Sequence, residues 1–169
     1  AIQNSQFTIE ADWSSASYWY SIIALSEIGT QITLSSFKET SLQGDAVLVE
    51  IYKNFGVETI FNDKNSITIS KIDNKFQKSF NFNLQSSPDI AQTIAVTCFG
   101  LGISCHLTGL HTLKIKETDR LEALKVELTK LGATISIINN SLTLEKSENI
   151  IPNVKIVTYQ DHRMAMAFA

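Results

Sequence analysis

The chain has 169 residues, of which 44% are apolar and 18% are charged, and its formal net charge is −3. This balance is typical of a soluble globular protein with one sizeable core, and it excludes a disordered or fibrous chain. It also argues against nucleic acid as a partner, because general nucleic-acid binders usually carry a basic excess on one face. We find no apolar run of about 20 residues and no signal-peptide pattern, so we expect a cytoplasmic protein with no membrane partner.

The basic residues divide unevenly between the two types, since twelve are Lys and only two, Arg120 and Arg163, are Arg. Arg differs from Lys by a planar guanidinium that can bind a carboxylate or phosphate through two hydrogen bonds. The two cysteines, Cys98 and Cys105, lie in an apolar stretch without metal-ligand spacing. We therefore expect two reduced core thiols and no metal site.

Along the chain, the predicted elements occur in a pattern that repeats after roughly 73 residues. An apolar helix rich in small residues begins at Asp12 and another begins at Asp89. A strand is predicted after Gly29 and again after Gly102. Amphipathic helices then start at residues 45 and 119, and each ends at a glycine, at positions 56 and 132. A pair of alternating strands follows each glycine, over 57–61 with 66–70 and over 134–138 with 141–144.

The amphipathic helix after residue 119 has the clearest pattern. Its leucines recur at helical spacing and predict a buried stripe: Leu121, Leu124, Leu128 and Leu131. Its charged residues are predicted to face water: Glu122, Lys125, Glu127 and Lys130. Each unit therefore consists of helix, strand, helix and hairpin, with a linking strand before the next unit. This predicts an α+β fold of packed repeats, with helices inside and sheets outside or the reverse, although generic α+β alternation stays an alternative.

Polar or charged first turns mark four helix starts, and such turns can bind anions because their N–H groups are unpaired. Residues 12–18 place three hydroxyls at the first, where Asp12 or Ser14 could instead serve only as an N-cap. At the second, Asp89 with Gln92 three residues later has the spacing of a cap.

The third start, residues 114–120, carries five charges in seven residues. Asp119 with Glu122 can form its cap, which leaves Lys116, Glu117 and Arg120 without a structural role. A solvated charge run is the alternative.

The fourth start has Asp161 as a plausible cap and Arg163 in the first turn, while His162 could be a core histidine. Together the four starts favour a small polyanionic ligand, with Glu117 and Asp89 as the carboxylates available for proton transfer.

Four segments of this chain, 12–18, 88–89, 116–120 and 161–166, resemble motifs of the 5-enolpyruvylshikimate-3-phosphate synthase family, in that family's order and approximate spacing. The resemblance implies a two-lobed enzyme of six βαβαββ units, with helices packed inside and mixed sheets outside. By it, residues 1–38 look like the terminal piece of the first lobe's last unit. Residues 39–169 look like most of the second lobe, about two units.

The same resemblance implies a reaction. The family transfers the enolpyruvyl group of phosphoenolpyruvate to the 5-hydroxyl of shikimate 3-phosphate and releases phosphate, on the shikimate pathway to chorismate and the aromatic amino acids. It uses no cofactor and no metal. We expect a monomer at full length and an inactive isolated fragment.

The resemblance also implies catalytic roles. Glu117 matches the family's proton donor and acceptor at the methylene carbon of phosphoenolpyruvate, and Asp89 matches the carboxylate beside the reacting hydroxyl. Lys116 looks like a contact to shikimate 3-phosphate near that hydroxyl. The chain departs from the family at Thr112, where members often have Asn, so that substrate contact is not carried over.

The remaining implied contacts are to the substrates' anionic groups. Ser15 and Tyr18 resemble contacts to shikimate 3-phosphate from the other lobe. Arg120 and Arg163 match the two arginines that hold phosphoenolpyruvate through its carboxylate and phosphate, with His162 beside them. This agrees with the bidentate geometry of the guanidinium.

Two alternatives stay open. The sibling UDP-N-acetylglucosamine enolpyruvyl transferase shares the fold and the chemistry, but it lacks the motif at 161–164 as it stands here. The chain could also be a non-catalytic domain of the same repeat fold that binds an anionic metabolite or a partner protein. Replacing Glu117 with Gln separates an enzyme from a binding module.

Overall fold

A computed structural model describes residues 9–63 and 65–169 of the chain. The helices are α1 (Trp13–Leu25), α2 (Leu48–Lys53), α3 (Ala91–Gly100), α4 (Arg120–Lys130) and α5 (His162–Ala167). Short 3-10 helices cover Gly44–Val47, Pro88–Ile90 and His111–Ile115. The strands are β1 (Gln31–Ser35), β2 (Val57–Asn62), β3 (Ser66–Lys71), β4 (Ser79–Asn83), β5 (Ser104–Thr108), β6 (Ile135–Ile138) and β7 (Ser141–Leu144).

Three helices begin where an aspartate caps the first turn, as the sequence predicts. The Asp12 carboxylate accepts the Ser14 N–H and so starts α1. Asp119 accepts two backbone N–H groups of α4, and Asp161 accepts two of α5. Each cap satisfies donors that a free helix end leaves unpaired, which is why these helices start where they do.

Asp89 behaves differently, and the prediction of a cap there is wrong. The helical segment at 88–90 has Ser87 at its N-cap position, and no side chain caps it. The Asp89 carboxylate instead contacts three cationic side chains from other parts of the chain.

The seven strands of the described residues form two sheets. The first is antiparallel with the order β1-β3-β2, and the second has the order β4-β5-β7-β6 with β4 parallel to β5. In each sheet a hairpin follows an amphipathic helix, β2 with β3 and β6 with β7. One face of each sheet is buried, because alternate residues such as Ile67 and Ile69, or Leu142 and Leu144, are fully covered.

The core lies between the sheets and is filled by the helices. Helix α1 packs against α3, and α3 also contacts α4 and α5. A single cluster of buried apolar residues runs from Trp13 in α1 through Tyr52 in α2 and Ile94 in α3 to Leu124 in α4. The expected architecture of helices inside and sheets outside is therefore confirmed.

The predicted division after residue 38 does not coincide with a break in packing. Strand β1 pairs along its whole length with β3, and α1 packs on α3 in the common core. Residues 9–38 and the residues that follow thus form one packed unit here, and the assignment of lobes stays a prediction.

Cys98 and Cys105 are both free and buried, which confirms the prediction of core thiols. Burial raises the pKa of the Cys98 thiol well above its ordinary value. The thiol is therefore held in its protonated form, and such buried cysteines are generally unreactive. In the described part of the chain, none of the helices is long and apolar enough to cross a membrane.

Candidate active site

Side chains from three separate segments meet at the Asp89 carboxylate. Lys116 Nζ and Arg120 Nη1 each lie 3.2 Å from Asp89 Oδ1, and Arg163 Nη2 lies 3.3 Å from Oδ2. The loop before α4, the first residue of α4 and the first turn of α5 therefore converge on one carboxylate. Five of the residues singled out from the sequence are brought together in this way, since Glu117 also joins Asp89, Lys116, Arg120 and Arg163 through its contact with Arg120.

Arg120 is at the centre of this group and is almost completely buried, with 1% of its surface exposed. Its Nε donates to Asp161 Oδ2 at 2.7 Å, and its Nη2 donates to Glu117 Oε2 at 2.6 Å. The expectation that Arg120 lacks a structural role is therefore wrong, because its guanidinium joins α4 to the cap of α5. Three carboxylates surround it and almost none of its surface is exposed, so a further anion can reach it only if one of them moves away.

Asp161 has a larger role than the cap that the sequence predicts. Burial alone would raise the pKa of its carboxyl, but the Arg120 guanidinium and the N–H groups of Arg163 and Met164 hold that pKa below its ordinary value of 3.8. The carboxylate thus stays ionised inside the protein and locks α5 onto α4.

This arrangement predicts an acid-sensitive fold. Because the pKa of Asp161 is lower in the folded than in the unfolded chain, its contribution to stability is complete above about pH 5 and is lost as the pH falls below about 4. Glu127, whose pKa is also lowered, acts in the same direction. Urea unfolding between about pH 6 and pH 3 measures this loss. We expect the free energy of unfolding to fall less in Asp161→Asn than in the unsubstituted chain across the same range. An equal fall in both proteins would contradict the assignment.

Glu117 presents its carboxylate to solvent while one oxygen contacts Arg120. Its side chain is 49% exposed, in contrast to the buried Arg120. It lies at the edge of an open pocket of about 450 Å³, which Thr118 and residues 157–160 complete. The carboxylate is therefore placed to exchange a proton with a molecule in this pocket.

At the first helix start, the hydroxyls are mostly used inside the protein. The Ser14 hydroxyl donates to the Asp45 carboxylate, and Ser17 donates to the Ser14 carbonyl. Ser15 is the exposed one, although its hydroxyl donates to the Asp12 carbonyl at 2.6 Å. Of the three hydroxyls, only that of Ser15 is on the surface as a possible ligand contact.

Tyr18 lies near the Arg163 guanidinium, and His162 directly precedes Arg163 in the chain. Tyr18 is half-buried, and burial raises the pKa of its phenol, while the nearby Arg163 guanidinium opposes that shift. His162 is exposed on the first turn of α5, so the alternative of a core histidine is wrong. Among the predicted site residues, Ser15 and His162 make no side-chain contact with the Asp89 cluster in the described structure.

Two buried polar side chains near the cluster have no hydrogen-bond partner among the described residues. These are the amide of Gln92, three residues after Asp89, and the hydroxyl of Thr112, four residues before Lys116. Thr112 is the position where the chain departs from the motifs that it otherwise resembles. A buried polar group left unpaired costs about 1–3 kcal/mol, so both positions are suited to an ordered water.

A second groove, of about 320 Å³, lies along the helices and carries no charged side chain in its lining. Exposed apolar residues of α1 and α5, including Trp19, Ile22 and Met166, form its walls. An anion gains nothing from such a surface, so the charged cluster is the better candidate for the site. Within residues 9–63 and 65–169, no group of three His, Cys, Asp or Glu side chains is arranged to hold a metal ion.

Glu127 is fully buried, so the prediction that it faces water is wrong. Its oxygens accept hydrogen bonds from the Tyr159 hydroxyl, the Val157 N–H and Lys130. Its position three residues after Leu124 places it on the apolar face of α4, and that spacing was the available signal.

Comparisons with family models and with curated proteins identify the same family. The family model described as EPSP synthase (3-phosphoshikimate 1-carboxyvinyltransferase) matches residues 2–169. Among curated relatives, the 3-phosphoshikimate 1-carboxyvinyltransferase of Bacteroides fragilis is 42% identical over 173 residues, covering 96% of this chain and 40% of the relative. That of Methanococcus vannielii is 34% identical, covering 96% of this chain and 37% of the relative.

Solved structures show the same fold. An EPSP synthase from Acinetobacter baumannii superposes with a TM-score of 0.68 at 20% identity, covering 95% of this chain and 39% of the solved one. The chain thus spans about 40% of the length of the proteins that it matches. Since the family model covers nearly every residue, the chain belongs to the EPSP synthase family.

Proposed function

We propose that this chain forms part of an enzyme that transfers the enolpyruvyl group of phosphoenolpyruvate to the 5-hydroxyl of shikimate 3-phosphate and releases phosphate. The observation that carries this proposal is the cluster around Asp89, where three cations and two further carboxylates converge beside an open pocket. Family membership supports the same activity, because the curated relatives are named 3-phosphoshikimate 1-carboxyvinyltransferase.

The chemistry requires one group that both gives and takes a proton. The methylene carbon of phosphoenolpyruvate must be protonated while the hydroxyl attacks the adjacent carbon. The tetrahedral intermediate then loses phosphate and any one of the three hydrogens of the methyl group so formed. Glu117 suits this step, because its carboxylate faces the pocket and its orientation is fixed by the hydrogen bond from Arg120. Protonation at carbon places positive character on the adjacent carbon, which makes the attack possible.

Asp89 and the cations suit the other half of the reaction. Lys116 and Arg163 hold the Asp89 carboxylate from two sides, so that it can face the attacking hydroxyl of shikimate 3-phosphate. Arg163 pairs with Asp89, lies beside the Tyr18 phenol and keeps 15% of its side chain exposed, so part of its guanidinium is open to a carboxylate or phosphate. Arg120 would complete the anion site once the ligand displaces one of its carboxylates. Ser15, Tyr18 and His162 remain proposed substrate contacts.

Charge balance explains why the isolated chain should be inactive. The cluster contains three cations, Lys116, Arg120 and Arg163, against three carboxylates, those of Asp89, Glu117 and Asp161. It therefore has no surplus positive charge for two phosphorylated substrates, and uncompensated like charges at a few ångströms repel strongly. We propose that the remaining length of a full synthase supplies further cations. We further propose that such an enzyme is a cytoplasmic monomer and that residues 1–38 and 39–169 belong to its two lobes.

A phosphate-release assay tests this function. A full-length synthase containing these 169 residues should release phosphate from phosphoenolpyruvate only when shikimate 3-phosphate is present, and UDP-N-acetylglucosamine should not replace it. The 169-residue chain alone should give no turnover. Absence of release from the full-length protein would overturn the proposal, and release with UDP-N-acetylglucosamine would favour the sibling enzyme.

Replacing Arg163 with Lys should raise the KM for phosphoenolpyruvate by about tenfold, although the charge is kept. Lysine presents a single ammonium and cannot reproduce the planar two-point contact with a carboxylate or phosphate. Steady-state kinetics of the full-length protein measure the change, with Lys125→Arg on the exposed face of α4 as the control. An unaltered KM in Arg163→Lys would remove Arg163 from the anion site.

A further inference from the structure

Helix α4 holds the segment before α5 at two points, and the proposed mechanism uses only one of them. Arg120 and Glu127 lie seven residues apart on α4, so both project from the same face with a rise of about 10.5 Å between them. Arg120 binds Asp161, and Glu127 binds Val157 and Tyr159. We call Arg120 and Glu127, with these partners, the α4 clamp.

The Glu127 end of the clamp is buried and fully hydrogen-bonded. Its Oε1 accepts the Tyr159 hydroxyl at 2.7 Å, and its Oε2 accepts the Val157 N–H at 3.1 Å. Lys130 Nζ lies 2.7 Å from Oε1 and balances the charge from the protein surface. Burial of a carboxylate costs free energy unless hydrogen bonds satisfy its lone pairs. Moving Tyr159 or Val157 away from Glu127 would therefore be unfavourable, and both are held in place.

The clamped segment has a backbone that needs to be held. Tyr159 and Gln160 have φ values of 56° and 55°, in the left-handed region that residues other than glycine rarely adopt. Residues in this region persist where the surrounding contacts fix them, and they are often found at functional sites. Residues 157–160 also form one wall of the pocket next to Glu117. The clamp therefore shapes the pocket in which the proton transfer is proposed.

We propose that Glu127 is a positioning residue, which holds Tyr159 and Val157 so that the pocket wall and the start of α5 are preformed before the substrate binds. This inference rests on the proposed function, since it assigns the pocket to phosphoenolpyruvate. Glu127 does not touch the substrate. It acts through residues 157–161, and through them on the direction of Arg163.

Removing the Tyr159 hydroxyl should release the wall and reduce the fraction of protein with a preformed pocket. When the competent fraction falls, the apparent dissociation constant rises by the same factor, while the saturated enzyme still reacts. Tyr159→Phe in a full-length synthase containing these residues should therefore raise the KM for phosphoenolpyruvate about tenfold and change kcat less than about threefold. Simple destabilisation would do the opposite, because it lowers the active fraction and leaves KM unchanged.

Hydrogen exchange on the 169-residue chain tests the clamp independently of turnover. In Tyr159→Phe, the two hydrogen-bonded N–H groups of residues 157–161, those of Val157 and Asp161, should exchange about tenfold faster, while those of β5 should not change. The matched control is Tyr20→Phe, which deletes another hydrogen-bonded tyrosine hydroxyl, 2.8 Å from the Thr59 hydroxyl. That control should leave both KM and the exchange of 157–161 unaltered. If Tyr159→Phe does not fold, Glu127→Gln serves in its place, because it keeps an acceptor but loses the charge.

The outcomes separate the two proposals. If the unsubstituted full-length protein shows no turnover, the proposed function is overturned. The positioning role of Glu127 in phosphoenolpyruvate binding is then overturned as well. Turnover with faster exchange and a raised KM supports the positioning role. Turnover with a wild-type KM in both Tyr159→Phe and Glu127→Gln overturns that role, whatever the exchange rates show.

Discussion

Replacing Arg120 with Met should lower the free energy of unfolding of this chain by about 3–5 kcal/mol. The substitution leaves Asp161, which is 1% exposed, ionised in the interior without its cation. The expected loss is large because a buried charge is strongly destabilising when only one partner of its pair is removed. Urea unfolding followed by circular dichroism measures the change.

A double-mutant cycle separates this pair from general packing. Asp161→Asn removes the orphaned charge, so the double variant should be clearly more stable than the sum of the two single losses predicts. Arg163→Met is the matched control, since its ion pair with Asp89 at 3.3 Å is partly exposed and should contribute less than about 1 kcal/mol. Strict additivity of Arg120→Met and Asp161→Asn would show that the ion pair does not hold α4 to α5.

Replacing Glu117 with Gln should lower kcat of a full-length synthase by about 10²- to 10⁴-fold, the usual contribution of a positioned acid-base group. The amide has nearly the same shape and can still contact Arg120, but it cannot transfer the proton to the methylene carbon. Binding of phosphoenolpyruvate and shikimate 3-phosphate, measured by calorimetry, should therefore persist.

The control for this substitution is Glu122→Gln in the first turn of α4. Glu122 is exposed and pairs only loosely with Lys125, at 3.8 Å, so its substitution should leave kcat unchanged. A Glu117→Gln variant with ligand binding and full turnover would exclude Glu117 as the proton-transfer group. A protein that binds ligand but never turns over, with or without the substitution, would instead be a binding module.

The fold could be predicted in detail because its signals are local. Caps at Asp12, Asp119 and Asp161 and the glycines at 56 and 132 set the helix limits, and the alternation of strand residues set the two hairpins. These features depend on backbone hydrogen bonding within a few residues, so local sequence patterns are enough to predict them.

The internal contacts of the site could not be predicted in the same way. The sequence brought out Asp89, Lys116, Glu117, Arg120 and Arg163, but not that Arg120 is buried among three carboxylates. That arrangement depends on how α4 and α5 pack, which no local pattern encodes. Glu127 was misplaced for a related reason, because its partners Val157 and Tyr159 lie about 30 residues further along the chain.

Deuterium incorporation tests the central claim most directly, namely that the Glu117 carboxylate transfers a proton to the methylene carbon in this cluster. In D₂O, a full-length synthase containing these residues should place deuterium in the methylene group of the enolpyruvyl product, as seen by NMR or mass spectrometry, because the proton added there comes from a solvent-exchangeable carboxyl. Glu117→Gln should form almost no labelled product under the same conditions. Equal labelling by both proteins, or turnover without any label in the unsubstituted one, would contradict the account.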